Sequence, residues 1–447
     1  MAQYTPPLRD MQFVMHEVLN VVDELRALPP HAEIDADTIN AVLEEGGKFA
    51  SQVVFPLNQS GDEEGCTLDK NTHEVTAPKG FKEAYAQYVE AGWAALSCDP
   101  EFGGQGLPFL VNQAFYEMLN SANQAWTMYP GLSHGAYEAL HAHGTDEQKK
   151  TFLPKLTSGE WTGTMCLTEP HCGTDLGLLR TKAKDKDADP IIVHPDVRKM
   201  LLTAKAYAEG GRALQIFCTL LLDKVHSHPD EKVRAESEEM VALLTPIVKA
   251  FITDNGHIST NACMQVFGGH GFIKEWGMEQ YVRDNRINMI YEGTNTIQSL
   301  DLLGRKILGN NGATLKKLGK LIGKLVEEEG VNEKMAEFIN PVAMLGDQMT
   351  KFTTEIGFKG MQNPDEVGAA AVDYLRVAGH LVFGYLFARM AQVALREIAA
   401  GNTDPFYGAK LQTARFYFAK LFPETVTLMR TARAGSKVLM DTDLALA

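Results

Sequence analysis

The chain has 447 residues, 45% of them hydrophobic and 22% charged, which is enough apolar material for a large core in roughly two to four domains. Its formal net charge of −15 argues against a nucleic-acid partner, because binding to a phosphate backbone requires clustered Lys and Arg. No run approaches the roughly 18 apolar residues of a membrane span, and residues 1–19 lack a signal-peptide pattern, so we expect a cytoplasmic protein without a membrane span.

Helical hydrophobic spacing dominates the chain. In the first third it predicts helices over about 11–28, 36–56, 82–92, 108–122, 131–143 and 146–157. A polar, turn-rich stretch from Asn58 to Pro78 predicts a surface loop. Beyond residue 190, long patterns rich in Ala and Leu predict a helical bundle over 197–222 and 235–269, followed by helices over 297–307, 369–398 and 411–434.

Two motifs in the bundle region contain residues able to bind a ligand or do chemistry. The glycine cluster at 268–271 follows a predicted helix, and it indicates either a plain helix terminator or free backbone amides that approach a ligand. Glu292, in the Tyr-Glu-Gly-Thr stretch at 291–294, precedes another predicted helix. Thr294 can cap that helix, and a carboxylate there favours the helix dipole. Taken singly, each motif permits a purely structural interpretation.

Together, these two motifs resemble the C-terminal signature of the acyl-CoA dehydrogenase family, in which the glutamate of Tyr-Glu-Gly-Thr is the catalytic base. Leu167 to Asp175 resembles the flavin-contacting loop of the same family, with Thr174 where many members have serine. Residues 100–106 and 143–149 match further family segments in the same order, so the resemblance covers about 81–307. It implies an FAD-dependent enzyme that converts an acyl-CoA to a trans-2-enoyl-CoA, with Glu292 as base and hydride transfer to flavin N5.

The resemblance also implies the other site residues, position by position. The FAD contacts that it implies are Leu167, Thr168, Thr174, Gln265, Gly269, Thr294 and Gln298. Tyr291 and Gly293 are the implied contacts of the thioester substrate. Gln265 and Gly269 match positions that touch the FAD adenosine across a subunit interface, which implies a homodimer or a tetramer. Electron-transfer flavoprotein is the implied electron acceptor.

Cysteine and histidine do not form a convincing metal site in the sequence. Cys166, His171 and Cys172 lie close together, as do His141 and His143, but neither group has a second half at zinc-ligand spacing. A Cys-His nucleophile is disfavoured because nothing marks a third, orienting group. The six cysteines lack CxxC spacing, which indicates reduced thiols. We therefore expect no metal.

The sequence departs from the family between the flavin loop and the bundle. Family members have a central β-domain there, whereas residues 178–183 lead almost at once to 191–197, which resemble the helix after that domain. No alternating strand pattern lies between them. We therefore predict a mainly α fold with acyl-CoA dehydrogenase-like helical domains and no central β-domain. Either the written sequence omits residues or the deletion is real, and we favour omission because the base and flavin loop are both complete.

These comparisons of motifs predict four segments. They are an N-terminal helical extension (1–80), an α-domain with the flavin loop (81–183), a helical bundle with the base (184–308) and a C-terminal helical extension (309–447). The two extensions resemble those of the larger bacterial members, such as the 3-methylmercaptopropionyl-CoA and long-chain acyl-CoA dehydrogenases. Two alternatives stay open: an acyl-CoA oxidase that uses oxygen, and a non-catalytic helical scaffold if the β-domain is truly deleted.

Overall fold

A computed structural model describes residues 4–163, 192 and 194–441 of the chain. The contacts divide it into two compact units. The larger unit combines Pro7–Val42 with Lys199–Ala447, and the smaller unit consists mainly of Leu43–Arg198. The division into four segments stays a prediction. The contacts group residues 7–42 with the C-terminal half of the chain and not with residues 43–80.

The fold is mainly α, as predicted. The first elements in chain order are α1 (Leu8–Gln12), α2 (Val21–Arg26), α3 (Ala36–Phe49), α4 (Leu57–Glu64), β1 (Thr67–Leu68), β2 (Val75–Thr76), α5 (Phe81–Glu90), α6 (Phe109–His143) and α7 (Asp146–Thr157). The remaining helices are α8 (Pro195–Ser227), α9 (Glu231–Val266), α10 (Met278–Ile287), α11 (Asn295–Leu300), α12 (Ala313–Glu329), α13 (Ala336–Gln362), α14 (Asp365–Ala399), α15 (Pro405–Phe416), α16 (Glu424–Arg433) and α17 (Lys437–Met440). Wider π-helical turns extend α1 to Val18, α3 to Val54, α11 to Ile307 and α15 to Leu421. In the described part of the chain, the only strands are β1 and β2, which form an antiparallel hairpin.

The smaller unit packs around aromatic side chains of α3, α5 and α6. Trp126 of α6 is fully buried and stands edge-on to Tyr88, with ring centroids 5.7 Å apart. Asn123 interrupts α6 with a non-helical backbone (φ −163°), and its side chain accepts a hydrogen bond from the Trp126 amide at 3.0 Å. The side chain therefore replaces a helical partner at the break, which lies between the two helices predicted at 108–122 and 131–143.

Residues 58–78 do not form the surface loop that the turn-rich composition predicts. They contain α4 and the short hairpin of β1 and β2. Gly61 explains the packing of α4, because a Cβ at this position would lie 2.5 Å from the Phe81 ring. The polar composition reflects exposed faces of ordered elements.

Helix α14 forms the centre of the larger unit. It is buried on all sides along most of its length, and its neighbours supply aromatic partners from α9 and α15. Phe383 stands edge-on to Phe251 with centroids 4.9 Å apart, and Phe387 stacks on Tyr417 at 4.4 Å. A helix that is apolar all round belongs in the interior of a large protein, and α14 satisfies this rule.

By length and composition alone, α14 is also apolar enough to cross a membrane. Its most apolar 18-residue window has a mean hydropathy of 1.2, and 89% of that window is buried inside the protein. Core helices of soluble proteins meet the same criterion, so the composition of α14 is weak support for a span. The expectation that the chain has no membrane span stays a prediction.

The N-terminal helix α1 is held in the larger unit by buried charges. Asp10 pairs with Arg212 of α8 and with Lys410 of α15, and all three side chains are buried. Lys410 also pairs with Glu209 at 3.1 Å. Removing one partner of such a cluster would leave a buried charge without compensation, which is strongly destabilising. These pairs explain why residues 7–42 belong with the C-terminal half of the chain.

Candidate functional site

The predicted base lies in a tight loop between α10 and α11. Glu292 and Gly293 both have positive φ, 54° and 81°, and this is unusual for a glutamate. The Glu292 side chain is exposed, and no hydrogen bond from a described residue reaches its carboxylate. A non-glycine residue in the left-handed region is held there by its surroundings, and such positions are frequent at functional sites.

Residues on both sides of Glu292 fix the loop locally. The Thr294 hydroxyl accepts a hydrogen bond from the Ile297 amide at 3.4 Å and caps α11, as the sequence predicted. Gln298 Nε2 donates to the Glu292 carbonyl at 3.2 Å. The Tyr291 hydroxyl donates to Asn288 Oδ1 at 2.9 Å, and burial raises the pKa of Tyr291. The five predicted residues 291–294 and 298 therefore lie together in and beside one loop.

Helix α9 holds this loop from the side through Lys249. Its Nζ donates to the Gly293 carbonyl and to Asn295 Oδ1, both at 2.7 Å. Burial lowers the pKa of Lys249, and the neighbouring Asp254 and Glu292 carboxylates oppose that shift. The Lys249 ammonium group therefore contacts the carbonyl of the residue that follows Glu292.

Asn295 completes the connection between the loop and α9. Its Nδ2 donates to Asp254 Oδ1 at 2.6 Å and to Thr253 Oγ1 at 2.9 Å. Burial raises the pKa of Asp254, while this hydrogen bond from Asn295 opposes the rise. Sequence reasoning missed Lys249 and assigned no role to Asn295. The only sequence signal for Asn295 was its place at the helix start, and Lys249 had none because it lies on another helix.

The glycine cluster follows the end of α9 as a 3-10 turn, Gly268–Phe272, at the place where the sequence predicted either a helix terminator or backbone amides free to approach a ligand. Gly268 has φ +60°, and neither it nor Gly269 has a neighbouring atom within 4 Å of the place where a Cβ would lie. Gly271 is different, since a Cβ there would lie 2.2 Å from the Met264 carbonyl oxygen. Gln265 lies exposed in the last turn of α9. The segment thus presents bare backbone with open space beside it.

Two predicted contacts lie far from residues 291–294, the loop that contains the predicted base and that we call the base loop. Lys249 and Gln265 are 16 residues apart on α9, which is about 24 Å at the rise of an α-helix. Gln265 therefore lies about four turns along α9 from the point where Lys249 contacts the loop, and Gly269 lies just beyond the end of that helix. Leu167, Thr168 and Thr174 lie outside the described residues.

Large apolar side chains surround the glycine cluster and are exposed. Phe272 and Trp276 are 70% and 53% exposed, and Phe267 is 43% exposed. Large exposed apolar side chains so close in the sequence are typical of ligand or protein interaction sites. The end of α9 therefore combines open backbone with exposed aromatic rings.

No described residues form a group that resembles a metal centre. Within residues 4–163 and 194–441, His, Cys, Asp and Glu nowhere cluster in threes at a spacing suited to an ion. His141 Nε2 lies 3.3 Å from Asp99 Oδ2, and the His141 ring stacks on Tyr137. Cys166, His171 and Cys172 lie outside the described residues, so the expectation of no metal stays a prediction.

Three family descriptions match successive parts of the chain. Residues 38–160 match "Acyl-CoA dehydrogenase, N-terminal domain", and residues 169–308 match "Acyl-CoA dehydrogenase, C-terminal domain". Residues 318–443 match "Acetyl-CoA dehydrogenase C-terminal like". The three matches follow the order of the predicted segments and include the base loop and most of the extension after it.

Curated relatives align over nearly the whole chain. The chain is 29% identical to 3-methylmercaptopropionyl-CoA dehydrogenase of Ruegeria pomeroyi, over 94% of this chain and 96% of the relative. It is 25% identical to a broad-specificity linear acyl-CoA dehydrogenase of Mycobacterium tuberculosis, over 96% of this chain and 97% of the relative. The first alignment spans 574 positions although the chain has 447 residues, so at least 127 positions contain no residue of this chain.

Solved structures share the fold at low sequence identity. An acyl-CoA dehydrogenase from Bacillus anthracis, complexed with FAD, matches with a TM-score of 0.70 and 15% identity over 92% of this chain and 90% of that chain. ACDH-11 of Caenorhabditis elegans, in complex with C11-CoA, matches with a TM-score of 0.67 and 12% identity over 99% and 97%. These similarities establish the helical architecture, including the C-terminal extension.

Proposed function

The chain belongs to the acyl-CoA dehydrogenase family, as an enzyme of its larger type with a C-terminal extension, and from this premise we propose that it oxidises an acyl-CoA thioester to the trans-2-enoyl-CoA with Glu292 as the base. The observation that carries the proposal is the loop at 291–294. Glu292 is held there at positive φ by contacts on both sides, and its carboxylate is accessible.

The proposed reaction begins with removal of the α-proton of the substrate. This proton is only weakly acidic, so a positioned carboxylate has to take it while hydrogen-bond donors stabilise the charge that develops on the thioester oxygen. The Glu292 carboxylate supplies the acceptor for the proton. The backbone N–H of Glu292 is a suitable donor, because no backbone hydrogen bond from it to another described residue exists. Tyr291 and Gly293 lie directly beside this position.

A hydride acceptor is also required, and side chains provide none, so a redox cofactor is part of the proposal. FAD supplies that acceptor when bound. The residues at the end of α9 fit such a group, because Gly268 and Gly269 leave bare backbone beside exposed Phe272 and Trp276. Gln265 and Gly269 would hold the adenosine of a partner's cofactor, in agreement with their distance from the base loop. Leu167 and Thr168 would face the flavin pyrimidine, and Thr174 would contact the FAD phosphates.

Titration of the flavin with an acyl-CoA tests whether Glu292 is the catalytic base. In Glu292→Gln, we expect the flavin to stay bound and its substrate-driven bleaching to be lost, because the amide cannot accept the α-proton. Glu238→Gln, at an exposed position on the same unit, is the matched control and should bleach normally. Full bleaching of Glu292→Gln would assign the base to another residue.

The wider role follows from the same chemistry and is part of the proposal. We place the enzyme in the cytoplasm in acyl-CoA catabolism, as a homodimer or tetramer that passes electrons to electron-transfer flavoprotein. The exposed aromatic surface at the end of α9 supports self-association. In an acyl-CoA oxidase, oxygen would rapidly reoxidise the reduced flavin. The rates of flavin reoxidation by oxygen and by an artificial electron acceptor therefore distinguish an oxidase from a dehydrogenase.

A scaffold is the second candidate, because one observation favours it. Only residues 161–168 lie between the matched N-terminal and C-terminal domains, which is too short a stretch for a β-domain. A purified protein that binds FAD and is bleached by an acyl-CoA would eliminate the scaffold. A colourless protein that cannot be reconstituted with FAD would support it.

A further inference from the structure

A long groove lies between α12 and α13, in the C-terminal extension. Its volume is about 1190 Å³, and all its lining residues belong to the larger unit and lie outside the base loop and the glycine cluster. The apolar part of the lining includes Leu315, Ile322, Val326, Met349, Phe358 and Leu381. From Gly312 to Val326 the groove follows α12 for about 21 Å, calculated from the helical rise. That exceeds the roughly 15 Å of hydrocarbon that one lipid chain spans in a bilayer leaflet, half the thickness of its core.

Glycines keep this groove open. Gly319 and Gly323 of α12 line it together with Gly346 of α13, and a Cβ at any of these positions would meet no atom within 4 Å. Glycine in the middle of a helix is less favourable than alanine. These glycines therefore make the two helices less stable than alanine would, and no side chain of the described residues fills the space beside them.

Two lysines at the groove have no partner in the part of the chain that the structure describes. Lys316 and Lys320 line the groove four residues apart on α12, and their exposed side chains make no ion pair or hydrogen bond with a described residue. The other lysines of α12 are paired, Lys317 with Glu239 and Lys324 with Glu328.

The charge at the groove is opposite to that of the whole chain. Asp347 of α13 is the one acidic residue among the described lining, so the lining has a net charge of +1. The chain as a whole has a net charge of −15. The groove therefore combines a long apolar floor with a local excess of positive charge.

We propose that this groove binds a long-chain carboxylate, a free fatty acid, at a site separate from the active site. The hydrocarbon chain lies along the apolar floor beside Gly319 and Gly323, and the carboxylate pairs with Lys316 and Lys320. Each element of the groove matches one part of this ligand: the length and apolar lining match the chain, and the unpaired ammonium groups match the head. The lysine stems cover apolar surface while their charged ends stay in water.

Calorimetry with dodecanoate tests the proposal on the full-length protein. In Gly319→Leu with Gly323→Leu, the new side chains occupy the groove, and we expect the affinity to fall at least tenfold. These substitutions introduce good helix formers into open space, so thermal unfolding should show a protein at least as stable as the parent. Lys316→Glu with Lys320→Glu should also lower the affinity for dodecanoate about tenfold, while dodecyltrimethylammonium should bind more tightly than it does to the parent. Lys324→Glu, on the same helix but outside the groove, is the control and should change neither affinity.

Several results would overturn the proposal. Unchanged dodecanoate affinity in the glycine variants would exclude the groove as the site. Equal binding of dodecanoate and dodecyltrimethylammonium by the parent protein would show that the lysines do not recognise the head. A change of oligomeric state in the glycine variants, without an effect on dodecanoate, would assign the groove to a protein contact. Glu292→Gln should bind dodecanoate normally, so loss of binding in that variant would place the carboxylate in the active site.

Discussion

At the scale of single residues, the base loop shows what a motif predicts and what it leaves out. Glu292 and Thr294 were predictable because their neighbours in the chain form the motif, and the structure confirms the helix cap. Lys249 was not predictable, because the loop that it contacts lies 44 residues further along the chain. Long-range contacts of this kind have no periodicity or spacing, so they become visible only when the helices are placed side by side.

Lys249 should influence catalysis through the position of Glu292. In Lys249→Met, the Gly293 carbonyl loses a charged donor, and such a hydrogen bond contributes about 1.5–3 kcal/mol. We expect the rate of substrate-driven flavin bleaching to fall at least tenfold, whereas the far-ultraviolet circular dichroism stays unchanged. Lys249→Arg retains the charge and should recover part of the rate.

The exposed Lys232, near the start of the same helix, provides the control. Lys232→Met should bleach at the parent rate. If Lys249→Met also bleaches at that rate, the loop is held in place without Lys249, and its contact with Gly293 has no part in positioning the base.

At the scale of helices, hydrophobic periodicity located most elements but not their interruptions. The helices at 146–157 and 297–307 agree with the prediction, and α14 extends the predicted 369–398 by a few residues at its start. The predicted helix at 411–434 is divided by Pro423, and the helix at 11–28 by Asn20, which has φ 48°. The apolar pattern continues through a short break because the helices before and after the break face the same core. The sequence therefore cannot reveal the break from periodicity alone.

A buried polar network connects α14 to α16. His380 Nε2 lies 2.8 Å from Glu424 Oε1, and Arg376 also pairs with this carboxylate. Burial disfavours the charged Glu424, but hydrogen bonds from His380 and Arg376 outweigh it and lower the pKa of Glu424 from 4.5 to about 2. The Glu424 carboxylate therefore stabilises the contact between these helices as long as it is ionised.

This pKa shift predicts how stability depends on pH. A glutamate with a lowered pKa in the folded state contributes fully above 4.5, and its contribution is lost as the pH falls towards 2. Since the side chain is about one third exposed, we discount the contribution for solvent screening to about 2 kcal/mol at neutral pH. Urea unfolding of Glu424→Gln should show a loss near this size at pH 7 and a clearly smaller one at pH 3. A loss that is equal at both pH values would contradict the shift.

At the scale of the whole molecule, the order of motifs revealed a missing domain. The matched N-terminal and C-terminal domains are separated only by residues 161–168, and the alignment with the Ruegeria pomeroyi enzyme has at least 127 positions without a residue of this chain. Both findings agree with the predicted absence of the central β-domain. The packing of residues 7–42 with the C-terminal half was not predictable, because it depends on buried charges on three separate helices.

The mass of the protein decides between omission and deletion. We expect the intact mass of the natural protein to exceed 49.2 kDa, because the base loop and the flavin loop are both retained and have a function only with the domain between them. A mass equal to 49.2 kDa would mean that the deletion is real. FAD affinity should then be severely weakened, and equilibrium dialysis would measure that loss.

The buried pair of Asp10 and Lys410 also determines the order in which the protein can fold during synthesis. The two residues are separated by 400 positions, so the larger unit cannot be completed until almost the entire chain has left the ribosome. All parts of the smaller unit lie before residue 199, so it can fold as soon as residue 198 has emerged. Until Arg212 and Lys410 have emerged, Asp10 lacks these partners, and the nascent chain exposes the apolar side of α1. Slow translation of the last fifty residues should therefore increase aggregation and the demand for chaperones more than slow translation of the middle of the chain.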